Sequence, residues 1–180
     1  MSHVGRLLVA TPLIGDPHFE RSVVALIDHG PEGSFGVVLN RPSDTAVAAV
    51  APEWADHVPA PGVLFVGGPV AADTVMGFGH LPPGQSRDFR PLVAGMGTVD
   101  LHDPPAPGED WAGVRLFAGS AGWAPGQLDD ELSEGAWWPV DAEPGDLLST
   151  DPSGLWRRVL RRQPGTIAWF ANAPTDPSSN

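Results

Sequence analysis

Glycine and proline punctuate this chain so densely that no long regular element fits. Its 180 residues include 22 Gly and 21 Pro, and both break helices and strands, one by leaving the backbone too free and the other by removing a donor and fixing φ. The chain must therefore fold from short elements, many turns and extended loops. Enough apolar material remains for a core: 42% of the residues are hydrophobic, with seven Trp and seven Phe spread along the length. A chain of this size buries roughly 70% of its unfolded surface, and one domain spanning residues 1–180 is expected.

The apolar runs lie between the turn residues. Residues 6–14, "RLLVATPLI", read as a buried strand, apolar on both faces until Pro12. Residues 22–30, "SVVALIDHG", form a second strand, and residues 36–43, "GVVLNRPS", its hairpin partner, closed by Asn40-Arg41-Pro42. Ser43 or Asp44 is placed to cap a short helix over "TAVAAV", which Pro52 stops. Further strands are expected within residues 61–70, 74–81, 91–102, 113–123 and 136–140.

Two helices stand out. Residues 126–135 place Leu128 and Leu132 on an inward face, with Asp129, Asp130 and Glu131 in the first turn, where the helix dipole favours acids. Within residues 153–165, Leu155, Trp156, Val159 and Leu160 form one stripe and Arg157, Arg158, Arg161 and Arg162 the opposite one. Ser153 is the expected cap there and Pro164-Gly165 the stop.

Absent residue types narrow the chemistry. There is no Cys, which excludes thiol nucleophiles, disulfides and cysteine-ligated metal. All ten cations are Arg and there is no Tyr, so a Schiff-base or phosphate-loop lysine and a phenol acid are excluded too. The formal net charge of −12 disfavours stand-alone nucleic-acid binding, which draws its affinity from a basic face. The first sixteen residues are too short and too broken for a membrane span, and they lack a small-residue cleavage signal. A soluble, cytoplasmic protein without membrane attachment is expected.

Five segments in order carry a resemblance: "LLVATPLIGDPHFERSVVALIDHG", "GVVLNRPS", "FVGGPV", "FAGSAGWAPGQLDDELSEGAWW" and the ending "DPSSN". Together they resemble the AlgH/YqgE family of bacterial proteins over essentially the whole chain. The resemblance implies an α+β fold: a forked mixed β-sheet with a small closed β-barrel, flanked by a few short helices. Members carry the label of transcriptional regulators, which rests on genetics around alginate production. Where the family brings a Phe-Gly-Tyr-type approach to the tryptophan segment, this chain has Ala118-Gly119-Ser120, so no tyrosine role transfers.

Three motifs are candidate ligand- or partner-binding sites, and each has a structural reading beside the functional one. Asn40, Arg41 and Pro42 follow a strand, where Arg can grip a carboxylate in a bidentate fork, or Asn40 can simply close a turn. Gly67, Gly68 and Pro69 offer backbone amides to a ligand, or a left-handed turn. Gly122, Trp123, Gly126, Gln127 and Glu131 edge a groove, or form a clip in which Trp123 and Trp137 or Trp138 bracket the helix. An anion cradle there is excluded by the three acids at the helix start.

The six His, at positions 3, 18, 29, 57, 80 and 102, show no metal-ligand spacing. Asp16, His18, Glu20 and His29 are the one imaginable gathering. "GSAG" at residues 119–122 is not a hydrolase nucleophile elbow. No metal and no cofactor is expected. The leading expectation is a non-enzymatic regulatory or adaptor protein that binds a protein or small molecule at the three motifs, gathered at one end of the sheet. A His/carboxylate or metal-assisted hydrolase is the alternative, and a DNA-binding regulator using the arginine helix a further one.

Overall fold

The computed structural model describes residues 2–85 and 87–172. Among these residues nine strands form one branched sheet: β1 (Leu7–Ala10), β2 (Val23–Gly30), β3 (Gly33–Val38), β4 (Pro42–Ala46), β5 (Val63–Val66), β6 (Val70–His80), β7 (Gly97–Val99), β8 (Gly113–Trp123) and β9 (Trp137–Val140); all are short except β6 and β8, of eleven residues each. Short helices flank it: α1 (Val47–Val50), α2 (Gln127–Ser133), α3 (Pro144–Leu147) and α4 (Leu155–Arg161), with 3-10 turns at Pro52–His57, Pro152–Gly154 and Gly165–Asn172. The fold is mixed α+β, with a large sheet.

Strand β8 is the branch point. It pairs antiparallel with β3 through Ala121–Trp123, parallel with β5 at Phe117 and Ala118, and antiparallel with β6 along most of its length. From β3 the sheet continues antiparallel through β2 and β1 to β9. The sheet is open, which corrects the expected closed barrel: β4, β7 and β9 each pair on one side and end a branch. Closure needs a partner at both edges of every strand. Here β7 is three residues long, β4 pairs irregularly with β5, and prolines sit in the edge strands β4 and β9, where a missing donor is tolerated.

Alternation along β1 and β2 buries both faces. Leu7, Val9, Val23 and Ala25 pack beneath α4, while Leu8, Ala10, Val24 and Leu26 pack with Trp123, Leu128 and Trp137 beneath α2. A third cluster, around Trp54, Trp111, Val114 and Leu116, fills the β6 branch. The α4 stripe is as the spacing predicts: Leu155, Trp156, Val159 and Leu160 are all buried.

Local details differ from expectation. Only Val47–Val50 of "TAVAAV" is helical; Pro42–Ala46 is an exposed edge strand, and Ser43 donates to the Leu64 carbonyl rather than capping. Asp151, not Ser153, accepts the Gly154 amide at the turn before α4. The quoted ending at residues 176–180 lies outside the described residues. Among the described residues, no helix is long and apolar enough to cross a membrane.

Candidate functional site

The tryptophan segment ties itself together. The indole N–H groups of Trp123 and Trp137 both donate to Glu131 Oε2, at 2.9 and 2.8 Å. The Gln127 amide donates to Glu131 Oε1 at 3.0 Å, and Gln127 Oε1 accepts the Ala124 N–H. Phe19 covers both indoles, stacked on Trp123 and edge-on to Trp137. The polar side-chain atoms of Trp123, Gln127, Glu131 and Trp137 are thus bonded within the segment. Gly126 starts α2 in the left-handed region, φ 77°, where a side chain is strained. Gly122 pairs with Phe35 on β3.

Gly67 and Gly68 lie where the chain crosses β8 most closely. A Cβ on Gly67 would run into the Gly119 carbonyl, and one on Gly68 into Ser120. Backbone approach accounts for these glycines, and for Gly119 opposite them; Pro69 follows, exposed. The first two motifs are neighbours: Val66 N–H donates to the Arg41 carbonyl at 2.7 Å and Val38 N–H to the Gly67 carbonyl at 2.8 Å. Pro42 opens β4 beside Phe65.

The Asn40-Arg41 pair does more than close a turn. Asn40 is 7% exposed. Its Oδ1 accepts the Val23 N–H at 3.1 Å and its Nδ2 donates to the Arg21 carbonyl at 2.9 Å. The amide therefore staples the two sides of the Arg21–Val23 bend. Arg21, at one end of that bend, has φ 54°, a left-handed conformation that costs a non-glycine residue about 1 kcal/mol. Arg41 adds a second staple, donating to the Glu20 carbonyl and, at 3.4 Å, to the Asn40 carbonyl.

That stapled loop walls an open cleft of about 380 Å³, whose lining includes Glu20, Arg21, Asn40, Arg41, Trp156 and Arg157. Trp156 is fixed by its indole N–H, which donates to the Ala10 carbonyl at 2.9 Å. The Arg21 guanidinium lies 4.7 Å from the Trp156 ring centre. Arg157 enters from α4 and donates to the Ala171 carbonyl. Burial pulls the Arg21 pKa below the ordinary arginine value, and Arg157 lowers it further, against an opposing pull from Glu20. Burial likewise lowers Arg41, with Glu20 opposing. Three of the ten arginines line this cleft together with Glu20.

Asn40 and Arg41 were legible as candidates, Arg157 was read only as part of the arginine face of the late helix, and Arg21 and Trp156 were not singled out as cleft residues. Nothing in the spacing of Arg21 signals a left-handed residue, and the core stripe of α4 concealed that Trp156 also lines a cleft. The arginine face of α4 is divided rather than continuous. Arg158 bonds the Ser149 hydroxyl at 2.6 Å and lies 3.8 Å from Asp151, while Arg162 grips buried Asp146 at 2.6 and 2.7 Å. Hydrogen bonding to Asp146 raises the Arg162 pKa.

The imagined gathering of Asp16, His18, Glu20 and His29 does not form. His18 meets Asp16 at 3.1 Å, but His29 turns to Asp129, its Nε2 3.1 Å from Oδ1, because β2 carries it to the start of α2. His3 stacks on His29 with ring centres 6.1 Å apart. A second opening, about 440 Å³, is lined by Ser2, His29, Gly126 and Asp129 among others. Among the described residues, no group of three or more His, Cys, Asp or Glu is placed to hold a metal ion.

Comparison with known proteins agrees with this architecture. The family model described as AlgH-like matches residues 7–168. A UPF0301 protein of Streptomyces coelicolor is 53% identical over 187 residues, covering 99% of this chain and 96% of its own. A crystal structure of a Corynebacterium diphtheriae protein superposes with a TM-score of 0.85 at 36% identity, covering 93% of this chain and 90% of that one. The solution structure of AlgH from Pseudomonas aeruginosa, at 24% identity, shares the fold with a TM-score of 0.66 over 96% of this chain and 94% of its own. The chain belongs to the AlgH-like family.

Proposed function

We propose that this protein is a recognition module, regulatory or adaptor in role and without turnover, that takes its ligand in the cleft at Asn40 and Arg41. One observation carries the reading: a buried asparagine holds a non-glycine residue in a left-handed backbone, and that residue lines an open cleft. Strain of this kind persists only where surrounding contacts enforce it, and it clusters at ligand clamps. The tryptophan segment and the glycine crossing serve as scaffold in this reading, since Trp123, Gln127, Glu131 and Trp137 bond one another and the glycines allow close backbone approach.

The test is a thermal-shift screen of small molecules and peptides, with hits mapped by amide chemical shifts on labelled protein. Hits are expected to perturb Arg21, Arg41 and Trp156, to lose their effect on Arg41→Gln, and to be recovered unchanged after long incubation. Hits that map elsewhere, or that are converted to product, contradict the proposal.

A hydrolase has one observation in its favour. His29 meets Asp129 at an opening that Ser2 also lines, as a carboxylate orients a general base. It predicts ester or phosphoester cleavage that His29→Ala removes. DNA binding through α4 is weakened by the pairing of Arg158 and Arg162; salt-dependent duplex binding that Arg161→Ala reduces would restore it.

A further inference from the structure

We propose that residues 2–6, the segment leading into β1, form a proton-sensitive latch: with its imidazole neutral, His3 stacks on His29 and holds the segment at the opening beside Asp129, and a proton on His3 releases it. The latch belongs to the second opening, and the Asn40–Arg41 cleft plays no part in it.

The His29 side chain is 9% exposed, and its Nε2 lies 3.1 Å from Asp129 Oδ1. A carboxylate only accepts, so Nε2 carries the proton of the neutral ring and Nδ1 is a bare acceptor. That Nδ1 is buried, and among the described residues it has no partner. His3 lies over the ring, tilted by 14° with centres 6.1 Å apart, and its own Nδ1 is likewise buried without a partner. Ser2, beside it in the segment, lines the opening of about 440 Å³ together with His29 and Asp129. Two main-chain bonds fasten the segment to β2: the Gly5 N–H donates to the Leu26 carbonyl and the Leu26 N–H to the Arg6 carbonyl, both at 3.0 Å.

A neutral His3 suits this arrangement and a charged one does not. An imidazolium carries an N–H on both nitrogens, so a proton taken up by His3 leaves a buried donor at Nδ1 with no acceptor, a cost that lasts only while the segment is latched. The same proton adds a cation beside Arg6 and His29. Burial is the largest cause holding the His3 pKa below its ordinary 6.5; Arg6, His29 and the α-amino group add to it, and Asp129 opposes them. Of the elements packed on His29, α2 supplies Asp129 and β3 places the uncharged Ser34 opposite it in register. The latched form prefers the neutral ring, so its hold is complete above about pH 6.5 and weakens as the pH falls below that value. Release carries Ser2 and His3 away and uncovers His29 and Asp129.

The experiment is amide hydrogen exchange of the full chain, followed by NMR at about pH 7.5 and about pH 5.5 and corrected for the intrinsic pH dependence of exchange, with titration of the His3 ring signals in the same samples. The Gly5 and Leu26 amides report the latch. A released His3 takes its proton near pH 6.5, so protection at both amides is expected to fall by up to about tenfold between the two conditions. The Val38 amide, which donates to the Gly67 carbonyl outside the segment, should keep its protection. His3→Phe keeps a stacked ring that takes no proton, and His3→Gln removes the ring altogether; a flat pH response is expected of both, even if Gln leaves the segment looser throughout. His18→Phe, at an exposed imidazole away from the stack, should retain the wild-type fall. Equal protection at the two pH values, a fall that persists in either His3 variant, or a His3 ring that titrates at or above pH 6.5 overturns the proposal.

Discussion

Arg87 and Arg41 are the same residue type placed in opposite surroundings. Arg87 donates to Glu109 at 2.8 Å, to the Asp103 carboxylate at 2.9 Å and to the carbonyls of Asp103 and Pro104, and it lies against Trp54 and Trp111. Glu109 in turn accepts the Trp111 indole and the Ala106 amide. Arg87, Asp103 and Glu109 answer one another within the chain, and the product is a pinned loop between β7 and β8. Arg41 answers main-chain carbonyls and lines an open cleft. The titration directions follow suit: Arg87 is raised by its hydrogen bond to Glu109, whereas Arg41 is lowered by burial. Arg87 is tied to acids, whereas Arg41 is positioned by neutral carbonyls at the edge of a cleft.

The sharpest way to break this contrast is to remove each arginine in turn. Arg87→Met leaves Glu109 buried without its cation, and urea denaturation should show a loss of about 3 kcal/mol. A loss near zero would mean the Arg87 region is not the structural member of the pair. Smaller is the effect of Asn40→Ala, which orphans the Val23 amide and the Arg21 carbonyl and should cost about 1–2 kcal/mol in the same assay. Glu131→Gln weakens two indole hydrogen bonds at once and is expected to cost about 1 kcal/mol, read from the tryptophan emission during denaturation. Smallest is Arg41→Gln, below about 1 kcal/mol, since no carboxylate depends on it, although ligand binding should be lost.

Acid titration sharpens the same comparison. Hydrogen bonding to Arg87, aided by the Ala106 amide and the Trp111 indole, holds the Glu109 pKa down to about 2 from an ordinary 4.5. Folding thus favours the deprotonated form, so the stabilisation is complete above about pH 4.5 and drains away as pH falls toward 2. Glu109→Gln should flatten stability over that window. A variant with the wild-type acid slope would place the sensitivity in other carboxylates.

Much of this fold is written in residue pattern. The runs at Leu7–Ala10, Val23–Gly30 and Gly113–Trp123 are apolar enough to be buried on both faces, and the 3.6-residue stripe of Leu155, Trp156, Val159 and Leu160 leaves one reading. Strand β4 was illegible because Pro42–Ala46 is polar and exposed, and only its pairing with β5 makes it a strand. The open sheet was illegible for a related reason: branching at β8 depends on which neighbour claims each part of an eleven-residue strand. At the site, Asn40 and Arg41 could be picked out by their place after a strand. Arg21 could not, since its importance lies in a backbone angle and in Asn40, 19 positions away.

The most direct test of the account is amide and indole chemical-shift mapping of the cleft's ligand on wild-type protein and on Arg41→Gln. The account predicts the largest shifts at Arg21, Arg41, Trp156 and Arg157, and their disappearance in the variant while the Arg87 region stays still. Shifts centred on Gln127 to Glu131 or on His29 and Asp129, or shifts that persist in the variant, would contradict it.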